Sequence, residues 1–398
     1  MAFAGLRGTG DWGTDERPTN FRESILWMQP NGMAPLTALL SKAKTETTND
    51  PQFSWWEETL QAVRIRINHT GGYSDSDTTF VIDADGYRLV AGDILQVEKS
   101  ELTAYDNELV TVASVTNDTT IVVTRGTANS TAAAIADDAY LTKIGSAFAE
   151  GVGGPNVSTR NPTKLTNYTQ IFKTAVEITG TAAATDARTG DPQKNDKKRK
   201  TFDHSIDLEM ALMFGKAYET TGSNGKPLRY TAGLRSRIAT NVTIFSATPT
   251  EDTFIDAVTP VFNYAKDSGA GDERLVLAGN GALNMLNKLV RNGDATRINY
   301  DGVFKLYGMN LQRWVLPQGV LAIKTHPLLN LHGRYTYSMF VIDPTNIIYR
   351  PLVGRDTHFV PNTQANDDDS KAGMWLTEVG FEIRHEATMA YLGGFTTH

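Results

Sequence analysis

Gly8-Thr9-Gly10-Asp11-Trp12-Gly13 spells GxGxxG, the string whose glycines let a strand-to-helix turn approach a dinucleotide's pyrophosphate. No β run precedes it and no helical period follows, so these glycines have no nucleotide to cradle. The phosphate-loop string GxxxxGK[ST] also fails, because Pro227 follows Gly225-Lys226 and Thr220 stands where the first glycine belongs. The seven histidines (His69, His204, His326, His332, His358, His385 and His398) are dispersed. His385-Glu386 has Met389 where a zinc-hydrolase helix would carry its second ligand. Ser41 and Lys44 have the spacing of a Ser-x-x-Lys nucleophile, without the companion strings of the penicillin-recognising enzymes. Asp367-Asp368-Asp369 could face a hard cation, but the alternate ligands, central glycine and closing glutamate of an EF-hand are missing, and Asp83-x-Asp85-Gly86 reads as a hairpin turn. There is no cysteine, which excludes thiolate nucleophiles, Cys-ligated zinc, iron–sulfur clusters and disulfides. No catalytic residue, cofactor or metal is expected.

One cluster carries more information. Lys194, Lys197, Lys198, Arg199 and Lys200 crowd the first half of an expected helix, where they oppose its macrodipole and repel one another. A polyanion or an acidic neighbouring subunit would offset that repulsion; a solvated face is the plainer reading. Arg350 and Arg355 suit intersubunit ion pairs. The whole chain of 398 residues carries 38 Lys+Arg against 45 Asp+Glu, a net charge of −7, so it has no overall basic footprint for gripping nucleic acid. Met1-Ala2-Phe3-Ala4-Gly5-Leu6-Arg7 does not resemble a secretory signal, and apolar runs stop at about five residues, as in Met210–Phe214, well short of a span. We expect a soluble protein made in the cytoplasm.

The elements that would position these residues fall into distinct blocks. Residues 1–62 are broken by glycines and prolines but carry Phe21, Trp27, Leu39, Phe53, Trp55 and Trp56, as an arm packed on something else would. Residues 63–146 alternate short β runs with turns and predict a small all-β module. Leu165–Ile178 predicts a long polar β segment, with Tyr168, Phe172, Val176 and Ile178 on one face, a ribbon rather than a core strand. Asp191-Pro192 starts a helix expected to reach Glu219, buried through Phe202, Ile206, Met210, Met213 and Ala217. Helix 251–266, strand 274–278, helix 281–290 and strands at 311–315, 320–324 and 339–343 follow, and β runs close the chain. The fold class is α+β.

An arm, a ribbon and a half-buried helix cannot each close a core, which suits assembly. Asn49-Asp50-Pro51-Gln52-Phe53-Ser54-Trp55-Trp56-Glu57-Glu58, Asn167-Tyr168-Thr169-Gln170-Ile171-Phe172, Val176-Glu177-Ile178-Thr179-Gly180-Thr181, Ala211-Leu212-Met213-Phe214-Gly215, Arg350-Pro351-Leu352 and Thr377-Glu378-Val379-Gly380 resemble a group of tailed-bacteriophage major capsid proteins. The resemblance implies the Hong Kong 97-type capsid fold. It would divide the chain into an N-terminal arm (1–62), an inserted β module (63–146), an extended β loop (147–188), the spine helix of a peripheral domain (189–222), an axial domain (223–345) and the peripheral sheet with the C-terminus (346–398). It further implies hexamers and pentamers in an icosahedral head around double-stranded DNA. The partners would be a scaffolding protein, a portal and a decoration protein, with no membrane, and the place of residence the virion. Phe53, Trp55, Trp56, Tyr168 and Phe172 would anchor neighbouring subunits, since aromatics dominate interface energetics. Two alternatives remain open on the residues: a hydrolase with a β accessory module, which would need a pocket of convergent titratable groups, and a tail or fibre component.

Overall fold

The computed structural model describes residues 44–58, 63–98, 107–159, 161–185, 190–264, 273–292, 300–306 and 309–395. GxGxxG, Ser41, His398 and the arm anchors before residue 44 lie outside them. The described residues form two compact units, one holding those up to Trp55 and from Thr166 on, the other Trp56–Leu165. The chain leaves the first unit within β1 (Gln52–Glu57) and returns within β8 (Thr163–Tyr168), and these two strands pair.

The second unit is all β in its extended elements: β2 (Arg64–Arg66), β3 (Thr79–Val81), β4 (Asp93–Val97), β5 (Leu109–Asn117), β6 (Thr120–Thr124) and β7 (Tyr140–Ser146), in the order β2-β7-β4-β5-β6-β3. An Ile67–Ile82 bridge joins the first and last strands and closes the sheet into a barrel. Alternation explains the closure: Val110 and Val112 turn inward with Phe80, Leu95, Ile121 and Leu141, while the residues between them face out. Asn117 makes the β5–β6 turn by accepting the Thr119 N–H at 2.9 Å, and Asp85 takes a left-handed φ of 71°. Within the barrel, Arg125 grips Glu108 through two bonds of 2.7 Å, and the carboxylate also accepts from the Gly126 and Ala133 amides.

The first unit continues through β9 (Gln170–Thr179), α1 (Gly180–Ala184), α2 (Pro192–Phe214), the hairpin β10 (Tyr218–Thr221) and β11 (Pro227–Tyr230), α3 (Leu234–Arg237), β12 (Val242–Ile244), α4 (Glu251–Val258), β13 (Glu273–Ala278) and α5 (Asn280–Asn292). It ends with β14 (Tyr300–Leu306), β15 (Met309–Leu316), β16 (Gly319–Thr325), β17 (Met339–Ile342), β18 (Ile347–Pro351), β19 (His358–Pro361), β20 (Ser370–Ile383) and β21 (Ala390–Gly393). A seven-stranded mixed sheet runs β12-β21-β17-β13-β16-β15-β14. Both of its faces are covered, in keeping with the apolar runs Leu275–Ala278 and Met339–Ile342 in its central strands. Leu275, Leu277, Phe340 and Ile342 pack toward α2, and Val276, Ala278, Met339 and Val341 pack with Phe254 of α4 and Leu286 of α5. In a four-stranded sheet, β20 carries β18 and β19 in succession along one edge and β9 along the other.

Several expectations need correction. Asp191 does cap α2, accepting from the Gln193 and Lys194 amides at 2.9 and 3.3 Å. The helix ends at Phe214 rather than Glu219, so its 23 residues span about 35 Å. Gly215 is the reason: a Cβ there would lie 2.4 Å from the carbonyl oxygens of Ala211 and Thr231, and the chain turns into β10 instead. The buried stripe of α2 is His204, Leu208, Glu209, Leu212 and Met213, with Met210 exposed. Helix 251–266 stops at Val258, where Pro260 supplies no N–H and a 3-10 turn follows. Finally, β9 is no ribbon, for it pairs with β20 over its whole length and buries Phe172 and Val176.

Candidate assembly surfaces

The segment just after residue 43 lies along the outer edge of β18. Glu46 N–H donates to Tyr349 O at 3.0 Å, Thr48 N–H to Pro351 O at 2.9 Å, and Val353 N–H back to Thr48 O at 3.0 Å, so the segment adds a short parallel strand. This pairing brings Glu46 to the cations of the sheet. Arg350 bonds the fully buried Glu382 through Nε at 2.6 Å and reaches Glu46 at 2.8 Å, while Arg384 bonds the other Glu382 oxygen. The Lys44 hydrogen bond and the Arg350 charge outweigh burial and hold the Glu46 carboxyl below the usual range. Arg355 binds Glu378, which also accepts from Thr169 Oγ1 at 3.2 Å. Arg350 and Arg355 thus each have a carboxylate partner within their own chain.

The expected aromatic anchors divide by strand alternation. Along β1, Phe53 and Trp55 point inward at 7% and 6% exposure, and Trp56 points outward at 64%. Phe53 presses on Gly380, where a Cβ would stand 2.4 Å from its ring, and the Arg237 guanidinium lies over Trp55 at 5.2 Å. Phe172 belongs to the core beneath α2. Phe53, Trp55 and Phe172 are thus largely covered by their own chain. Trp56 is left exposed and Tyr168 half-buried.

The five cations of α2 are largely answered along the helix itself. Arg199 pairs with Asp196 at 3.0 Å, Lys200 with Asp203 at 3.2 Å and, at 3.9 Å, Lys194 with Asp191. Lys197 sits 3.7 Å over the Phe359 ring, and Lys198 has an interaction of its own. The run therefore offers less free charge than its composition suggests.

Sequence reasoning missed the polar ties on the inner side of α2. His204 bonds Thr174 of β9 at 3.0 Å through Nδ1 and Thr377 of β20 at 2.8 Å through Nε2, and burial pushes its pKa down. Glu209 meets His326 Nε2 at 2.8 Å, both side chains fully buried. Polar residues inside an apolar stripe carry no periodicity signal, so hydropathy could not have marked them. His385, Glu386 and Met389 make no metal site: Glu386 accepts the Ala239 and Thr240 amides at 2.9 and 3.1 Å, and Met389 is core. Among the described residues no group of three or more His, Asp or Glu is gathered to hold a metal, and no helix is long and apolar enough to cross a membrane.

Apolar side chains do stand exposed. Val152 and Val157 are 62% and 90% exposed between β7 and β8, and Tyr218, Leu228 and Tyr230 share one face of the β10–β11 hairpin. Paired Tyr218 and Tyr230, with Leu228 beside them, place three large apolar side chains together at the surface.

A family model described as SU10 major capsid protein matches residues 7–396. A major capsid protein of Pseudomonas phage PaMx41 is 28% identical over 362 residues, covering 89% of this chain and 83% of that one. Among solved structures, the capsid of Myoviridae phage XM1 covers 94% of this chain and 96% of its own at 9% identity, with a TM-score of 0.45. The capsid of a native GTA particle covers 98% of each at 9% identity, with a TM-score of 0.46.

Proposed function

The chain belongs to the SU10 major capsid protein family, and from that premise we propose that its copies assemble as hexamers and pentamers into the icosahedral head of a tailed phage. The observation that carries this reading is the family match from residue 7 to residue 396. The α+β fold, with a long helix lying across a sheet and a second mixed sheet beside it, is the arrangement expected of a Hong Kong 97-type subunit. In this reading residues 1–62 are the arm, 147–188 the extended loop, 189–222 the spine helix, 223–345 the axial domain and 346–398 the peripheral sheet. The barrel within 63–146 is an insertion that decorates the shell or reinforces contacts between capsomers. Neither the hydrolase nor the tail-component alternative draws support from the family.

Head-to-tail interfaces that close make five- and six-membered rings, and permanent assemblies bury roughly 2,000 Å² or more per contact. Trp56, Tyr168, Val152 and Val157 supply apolar area of the right kind, and we assign them to contacts with neighbouring copies. A scaffolding protein during assembly, a portal at one vertex and a decoration protein on the outside complete the particle. The net charge of −7 suits a container that touches packaged DNA weakly and without sequence preference. Synthesis belongs to the cytoplasm of the host bacterium. Sedimentation tests the surface assignment: Trp56→Ala is expected to melt within about 0.5 kcal/mol of wild type, as exposed substitutions do, while shifting material from particles to free subunits. Unchanged sedimentation would remove Trp56 from the interface.

A further inference from the structure

At the junction of β8 and β9 one amide joins three segments. Asn167 is fully buried. Its Nδ2 donates to Phe381 O of β20 at 2.6 Å, with Thr231 Oγ1 and Ala232 O at 3.3 and 3.4 Å beside it. Its Oδ1 accepts the Ala232 N–H at 2.8 Å and the Tyr168 N–H at 2.9 Å. The adjoining residues repeat the tie: Thr169 N–H donates to Pro51 O at 2.8 Å, and Gln170 Oε1 accepts the Thr231 N–H at 3.1 Å. Opposite them, a Cβ on Gly380 would lie 2.7 Å from Tyr168 O, so β8 is pressed against β20 here.

Burying an amide is unfavourable unless its bonds are made, and here both ends of the group are engaged. An apolar side chain would fill the same space, but it would not fix direction. A planar amide with bonded donor and acceptor ends does, because hydrogen bonds weaken steeply off axis. We propose that Asn167 is a positioning residue that fixes the β8–β9 junction against β20 and the 231–232 segment, and through that fixed junction the uniformity of the shell. The inference rests on the capsid reading. Its leverage is local: the same amide holds β20, residues 231–232 and the end of β8 at one point.

The test uses the full chain with Asn167→Ala, the milder Gln170→Ala, and Val176→Ala as a control that removes core packing elsewhere in β9. Amide exchange of residues 163–168 in free subunits and the diameter distribution of assembled shells are read together with the melting temperature. Asn167→Ala is expected to raise exchange over 163–168 about tenfold and to broaden the shell diameters, beyond what Val176→Ala does at a similar loss of melting temperature. Exchange and diameters equal to the control would overturn the proposal. Should Asn167→Ala fail to fold, Gln170→Ala is expected to move both quantities in the same direction by less, and no movement would count against the pin. Wild-type chain that never forms shells would instead overturn the capsid reading, with the exchange contrast still judging Asn167 independently.

Discussion

Arg350 shows how a single side chain can hold three segments. It neutralises the fully buried Glu382 and draws Glu46 onto the edge of β18. Arg350→Met leaves that buried carboxylate with Arg384 alone, and chemical denaturation is expected to show a loss of about 3 kcal/mol. His204 is expected to make the subunit sensitive to acid. Burial lowers its pKa in the folded state, so the unfolded chain binds the proton first. The contribution is therefore complete above the ordinary histidine value of about 6.5 and is lost as pH falls below it toward the folded value. Thermal melts of wild type and His204→Gln between pH 8 and 5 are expected to show a steeper acid decline for wild type; parallel curves would exclude His204. Arg350 and Arg355 were visible in the sequence as charges in need of partners, but the distance in sequence to Glu382 and Glu378 hid that the partners lie in the same chain. His204, Glu209 and Asn167 were hidden altogether, because a buried polar residue is defined by its bonds and not by its pattern.

Elements whose signal is local were legible before the fold was known. The barrel strands follow from period-two alternation between turn residues, and the start of α2 follows from Asp191-Pro192. Asp191→Ala is expected to cost about 1 kcal/mol in a denaturant melt, the usual worth of such a cap. The end of α2 was not legible, since it depends on two backbones meeting: Gly233 N–H donates to Gly215 O at 2.9 Å, and a Cβ at Gly233 would lie 2.5 Å from Leu212 O. Gly233→Ala is expected to destabilise by more than about 2 kcal/mol, because only backbone can move aside. A melt within 0.5 kcal/mol of wild type would show that the approach relaxes easily. The assignment of β9 to a ribbon failed for a related reason. Asn167 and Thr169, just before β9 in the expected 165–178 segment, alternate onto its polar face, yet both are buried with partners supplied from Ala232 after β11 and from Glu378 of β20.

On the scale of the molecule, two units with separate cores should report separately. Glu108→Gln weakens the Arg125 pair inside the barrel, where that pair and the Ala133 and Gly126 amides outweigh burial and keep the carboxylate ionised. It is expected to lower one unfolding transition by about 3 kcal/mol and to leave the transition of the α+β unit in place; a common shift of both would mean that the units unfold together. Neither core covers Trp56, Val152, Val157 and Tyr218, and the proposed shell of like copies would bury them. Cryo-electron microscopy of the pelletable fraction from cells that express this chain with a scaffolding partner tests that claim most directly. The account requires closed icosahedral shells whose hexamers and pentamers cover Trp56 and the 147–159 segment. Dispersed monomers, or trimers and open tubes, under every assembly condition would contradict it.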